Sequence, residues 1–167
     1  MSSRACALLV VSLAACQHGD EPHGTGRVRL TLQGTTDTIR FDVPVLGQRC
    51  VGGSGVLVTG ARQGQGVLLM LRSPHPAIDT GSYALLSRAD STAERGAIVA
   101  IRFSVGPVSH GVTVDDGVAT VARSTPTLAV EVHGRGVEAG SGAQRTAVLR
   151  VDDVPLGSDS AFCRVQP

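Results

Sequence analysis

From Gly26 onward, apolar and polar residues alternate with a period of two. This is the signature of a strand with one buried and one wetted face. Val28, Leu30 and Leu32 alternate with Arg27, Arg29 and Thr31, and Ile39, Phe41, Val43 and Val45 with Arg40, Asp42 and Pro44. The same rhythm returns at Val99, Ile101, Phe103 and Val105, at Leu128, Val130 and Val132, and at Ala147, Leu149 and Val151. Gly55 to Thr59, Ser82 to Leu86, Gly111 to Val114, Val118 to Val121 and Ala161 to Val165 read as shorter strands. Gly66 to Arg72 (GVLLMLR) is apolar on both faces, so it predicts a strand covered on both sides. Glycine and aspartate punctuate these runs at Gln33 to Thr36, Gly52-Gly53, Gln63 to Gln65 and Gly140 to Gly142. Asp115-Asp116-Gly117, between two short valine-rich runs, predicts a hairpin. Ser87 to Arg95 fits two turns of helix or a loop equally, and no long amphipathic helix is present. The expected fold is all-β, an antiparallel β-sandwich of about 8–10 strands, with a closed β-barrel as the alternative.

Composition changes this picture little but narrows the function classes. With 42% apolar and 17% charged residues among 167, the chain is suited to a packed core and not to disorder. All 15 basic residues are arginine, scattered singly against 14 carboxylates, and only four aromatic residues occur. A nucleic-acid surface needs clustered cations or rows of stacking rings. No nucleic-acid partner is therefore expected.

The amino end adds an address. Ser2, Ser3 and Arg4 precede Ala5 to Ala15 (ACALLVVSLAA), an apolar run of signal-peptide length. The run is too short to span a bilayer, which takes about 20 apolar residues. Leu13-Ala14-Ala15-Cys16 closes it. This tetrapeptide resembles the lipobox of bacterial lipoproteins. The resemblance implies cleavage after Ala15 and diacylglycerol on the Cys16 thiol, with palmitate-type acyl chains holding the protein to a membrane. Gln17, and not aspartate, follows the cysteine. By analogy with enterobacterial sorting, this implies the outer membrane, at its periplasmic or surface face. Residues 1–15 then form a signal peptide, 16–26 a polar tether and 27–167 a single domain. Gly81-Ser82-Tyr83 with Leu85, Gly111 to Val114 and a late cysteine strand loosely resemble small exported lipoproteins with an all-β body.

Once Cys6 leaves with the signal and Cys16 takes lipid, Cys50 and Cys163 remain. In an oxidising compartment two such cysteines pair, and their spacing suits no zinc site. A reactive cysteine nucleophile is the functional rival.

Candidate chemistry is sparse. Gly53-Ser54-Gly55 and Gly140-Ser141-Gly142 read as turns and not as a nucleophile elbow. His75, His110 and His133 lack ligand spacing, and neither His18 nor His23 of the tether stands in a metal motif. Asp115-Asp116 and Asp152-Asp153 read as turn residues, since neighbours on a strand point to opposite faces. No catalytic residue, cofactor or metal is expected. Three hypotheses follow. The first is a non-catalytic interaction or structural module of the cell envelope that binds another envelope protein. It predicts an exposed apolar patch or an open sheet edge. The second is a small-molecule or lipid carrier, with its ligand inside the sandwich or barrel. The third is a hydrolase, which requires one of the three body histidines within reach of both a serine and a carboxylate.

Overall fold

The computed structural model describes residues 26–52, 55–87, 90, 92–161 and 163, without the side chains of 158–161. The predicted signal peptide, Cys16, the tether up to residue 25 with His18 and His23, and Ser54 lie outside the described residues, while Gly26, placed in the tether by sequence, begins the first strand. The described chain forms nine strands. They are β1 (Gly26–Gln33), β2 (Thr38–Cys50), β3 (Gly55–Arg62), β4 (Gln65–Arg72), β5 (Gly81–Ala84), β6 (Gly96–Val105), β7 (Val108–Arg123), β8 (Thr127–Glu138) and β9 (Gln144–Ala161). The strand foreseen at 161–165 is the end of β9, which reaches Ala161; the remaining positions are outside the described residues, save Cys163.

The sheet runs β7-β6-β4-β3-β2-β1-β9-β8 and closes where β8 pairs with β7 along Val112 to Arg123. The all-β expectation holds. Of its two forms, the closed eight-stranded barrel is adopted, and the open sandwich is not. Closure is possible because every strand alternates in and out, so one curved sheet buries its whole inner face. Two long strands need more than one partner along a single edge. The first half of β7 pairs with β6 and residues 118–121 pair with β5. In the same way β2 pairs with β1 up to Val45, and then Gly47 to Cys50 run parallel to the tail of β9. A disulfide between Cys50 and Cys163, 113 residues apart, fastens that seam.

Inward side chains form one continuous apolar cluster that includes Val28, Leu32, Val43, Leu69, Tyr83, Phe103, Leu128 and Leu149. Tyr83 keeps its hydroxyl satisfied by donating to the Asp79 carbonyl at 2.9 Å. The β4 run is covered on both faces, as its sequence predicts. Inside, Val67, Leu69 and Leu71 join the core, and outside, Met70 is buried too. Cover for the outer face comes from the segment after β5. The Leu86 amide bonds to the Ala97 carbonyl, and Arg72 reaches the Ala93 carbonyl. That segment contains the stretch that was ambiguous between helix and loop. Its described residues form turns, with the Ser87 amide and hydroxyl both donating to Asp90 Oδ2.

Asp115-Asp116-Gly117 is not a hairpin. Strand β7 runs straight through it, with a register shift against β8 between Val114 and Asp116. An extra residue there moves the inward set from Val112 and Val114 to Ala119 and Val121. Gly117 makes the bulge possible at φ +133°, where a Cβ would lie 2.2 Å from the His133 carbonyl oxygen. Gly117→Ala is expected to lose about 1–3 kcal/mol from backbone strain alone, read as a lower urea midpoint with an unchanged slope.

Candidate functional site

Antiparallel alternation places the turns at 34–37, 63–64, 106–107 and 139–143 at one end of the barrel, here called the turn end. The start of β1 and the Cys50–Cys163 seam lie at the other, the loop end. Inward positions are apolar until the strands reach the turn end. There the last inward residue of β8 is Glu138 and the first of β9 is Arg145. Phe103 on β6 and His110 on β7 are cross-strand partners, and Asp37 comes from the turn between β1 and β2.

These residues close the mouth as one network. His110 Nδ1 lies 2.8 Å from Glu138 Oε1. Arg145 donates to Glu138 Oε2 from Nε at 2.9 Å and from Nη2 at 2.7 Å, and its Nη1 binds Asp37. Ser141 also hydrogen-bonds to Glu138. The His110 ring stacks on Phe103 with centroids 5.0 Å apart and planes at 9°. The Arg145 guanidinium sits 5.6 Å from the Phe103 ring centre. The Glu138 side chain is only 4% exposed and that of Arg145 10%. Among the described residues no buried side-chain polar atom lacks a partner.

Burial works to raise the Glu138 carboxyl, but hydrogen bonds from Arg145, His110 and Ser141 outweigh it, and the group is held below the ordinary carboxylate value. The folded form therefore favours the ionised state more than the unfolded chain does. Its stabilisation is complete above the ordinary carboxylate value and is lost as pH falls through the lower folded value. The stability gap between the wild type and Glu138→Gln should accordingly narrow on acidification below that ordinary value, as followed by urea midpoints across pH.

Chemically this is half of a familiar device. An ionised carboxylate facing Nδ1 orients an imidazole and leaves Nε2 as an acceptor. Nucleophilic catalysis, however, requires the histidine to stand between the nucleophile and the carboxylate. Here the carboxylate is the hub, and the hydrogen bond of Ser141 goes to Glu138. The other histidines are elsewhere. His133 faces outward, 3.0 Å from Glu131, and His75 is exposed between β4 and β5. The three do not converge, and among the described residues no group of three metal-ligating side chains occurs. Sequence reading misses Glu138, although the inward phase of Leu128, Val130 and Val132 extends to it. Its partner Arg145 is not legible, because their meeting depends on the β8–β9 register.

The outer surface divides into two halves. Across β2, β1, β9 and β8 runs a ladder of ion pairs. Arg27 binds Asp42 at 2.9 Å, Arg29 binds Asp152, and Arg150 binds Glu131 at 2.9 Å. On the opposite wall, outward Leu57, Met70 and Ile98 share one cross-strand row. The next row holds Leu46, Thr59, Leu68, Ala100 and Thr113. Asp116 pairs outward with Arg135 at 3.1 Å, and Asp153 with Arg123, so neither adjacent aspartate pair forms a joint site.

Comparison with protein-family models, with curated proteins and with solved structures finds no match to this chain.

Proposed function

We propose that this protein is a lipid-anchored module of the bacterial cell envelope, held by acyl chains on Cys16, that works by binding rather than by catalysis. The observation that carries this reading is Leu13-Ala14-Ala15-Cys16 at the end of an apolar run of signal length, only ten residues before the first strand. Nine residues between Cys16 and Gly26 reach at most about 35 Å when extended. A barrel tied this way stays beside the membrane. An outward apolar wall and a histidine–carboxylate pair locked into a plug support an interaction or structural role in which another envelope protein is the partner. A closed eight-stranded barrel is also a shape that holds one small ligand. That favours the carrier as second reading, against which stands the continuous packing of inward leucine, valine and aromatic side chains.

Intact mass of the protein from its own host is the test. The expected chain starts at Cys16 and carries a diacylglyceryl group, and Cys16→Ala leaves it unprocessed or soluble. An unmodified polypeptide beginning at Met1 overturns the reading. For the binding role, His110→Ala should leave any measured envelope phenotype intact while lowering stability. Loss of the phenotype in a stably folded variant would argue for catalysis.

A further inference from the structure

We propose that the free edge of β2 at the turn end, residues 38–42, takes up an extended acidic segment of a partner protein as an added strand. Along one edge β2 is served by β1 at 38–45 and by the tail of β9 at 47–50. Its other edge meets β3 only at 46–49. Pairing with β3 fails toward Pro44, whose nitrogen has no hydrogen to donate on that side. A Cβ on Gly60 would lie 2.4 Å from the Pro44 carbonyl oxygen, so β3 passes this point with only Ala61 and Arg62 left before its turn. Residues 38–42 therefore project past the β3–β4 hairpin.

The unpaired groups follow from alternation. The Gly34 amide donates to the Asp37 carbonyl, so Ile39, Phe41 and Val43 turn their backbone groups toward β1. Those of Thr38, Arg40 and Asp42 point the other way, and no backbone or side-chain group among the described residues bonds to them. At two other places the described chain has a stagger of this kind, and both are filled. Strand β5 completes β7 beyond β6, and the tail of β9 completes β2 beyond β1. A strand laid along 38–42 would complete this one in the same way. Its charge follows from what is already paired. Asp42 is taken by Arg27, and Asp37 by Arg145. Arg40 on the outward phase, and Arg62 on the inward phase at the tip of β3, are exposed and have no ion pair among the described residues. Backbone donors and acceptors beside two unmatched cations select a segment that carries carboxylate. Alternate residues of that segment would meet Arg40 outside and half-buried Ile39 inside. A second copy fits less well, because antiparallel pairing about Arg40 sets arginine against arginine. A lipid surface has no backbone to pair.

The inference rests on the binding role proposed above, naming the partner's chemistry, and does not depend on acylation. The mature chain from Gln17, exported behind a non-lipidating leader, is mixed with a seven-residue peptide that alternates threonine and valine around a central glutamate. Counterparts carry glutamine or lysine at the centre. In the free protein, amide exchange should be fast at Thr38, Arg40 and Asp42 and slow at Ile39, Phe41 and Val43. The glutamate peptide should protect the first three, binding about threefold more tightly than the glutamine peptide and more tightly still than the lysine peptide. Arg40→Glu should reverse the order of the glutamate and lysine peptides, whereas Arg150→Gln should change nothing. Arg40→Pro should weaken all three peptides, because it removes an edge donor that β1 does not use. Thermal unfolding checks each variant, and Arg40→Glu carries the test if the proline variant fails to fold. Protection of Thr38, Arg40 and Asp42 in the free monomer, or protection that rises with protein concentration, means that this chain or a second copy already covers the edge, and overturns the inference. Absent binding, or binding indifferent to Arg40, does the same. Each of these results leaves the other surfaces of the barrel open to a partner and the acylation of Cys16, read by mass, untouched.

Discussion

Arg145→Ala should lower the unfolding free energy by about 3–5 kcal/mol, the usual effect of removing one member of a buried ion pair. The reason is what remains behind. Glu138, almost fully enclosed, would keep its charge with only His110 and Ser141 to offset it. By contrast, the exposed pairs Arg27–Asp42 and Arg150–Glu131 contribute little to stability, because water already solvates both partners. Urea unfolding of Arg27→Ala and Arg145→Ala side by side should show this contrast. Adding Glu138→Leu to Arg145→Met should recover most of the loss, since no charge is then left in the mouth and Asp37 faces water. A double variant as weak as the single one would mean that the network acts through shape and not through charge balance.

Reduction of the disulfide, or the Cys50→Ser/Cys163→Ser double variant, should lower stability by about 2–5 kcal/mol. Much of this comes from the unfolded chain, in which the bond closes a loop of 113 residues. The folded state adds a local term. Strand β1 covers β2 only as far as Val45, so Gly47 to Cys50 depend on the tail of β9 for a partner on that edge. Without the covalent tie, amide exchange should quicken first in Gly47 to Cys50 and in the tail of β9. The β7–β8 pairing, which closes the barrel, should remain protected until global unfolding. Uniform acceleration would show instead that the bond acts only through chain entropy.

Much of the fold is legible in the sequence, and specific residues show where legibility stops. Alternation identifies inward Val28, Leu30, Leu32, Leu149 and Val151 because side chains in a strand obey period two whatever their neighbours. The doubly apolar β4 is read correctly for the same reason: Met70 has no polar alternative and must find cover. The misreading at Asp115-Asp116-Gly117 is instructive. A tight turn and a bulge use the same residues, since both need a local backbone excursion and a residue tolerant of positive φ. What separates them is whether the neighbouring strand continues alongside. Here β8 does, with Gly134 and Gly136 letting the two backbones approach.

The candidate site divides in the same way. Glu138 is missed by the sequence reading, although it continues the buried phase of its strand, and its partners come from β7, the β1–β2 turn and β9. Spacing along the chain carries no information about which hairpin tips share one mouth. The outward apolar rows of β3, β4 and β6 are half visible. Segments 46–72 and 96–114 lack acidic residues in the sequence, yet only the β3–β4 and β4–β6 registers place Leu57, Met70 and Ile98 in one row.

By itself, then, the sequence determined the all-β class, the faces of its strands and the availability of Cys50 and Cys163 for pairing, because these follow from local periodicity and residue chemistry. Tertiary structure alone decided between barrel and sandwich, and it alone set the bulge in β7, the plug around Glu138 and the two contrasting walls. Closure depends on register and twist summed around eight strands, a long-range property that no window of neighbouring residues encodes.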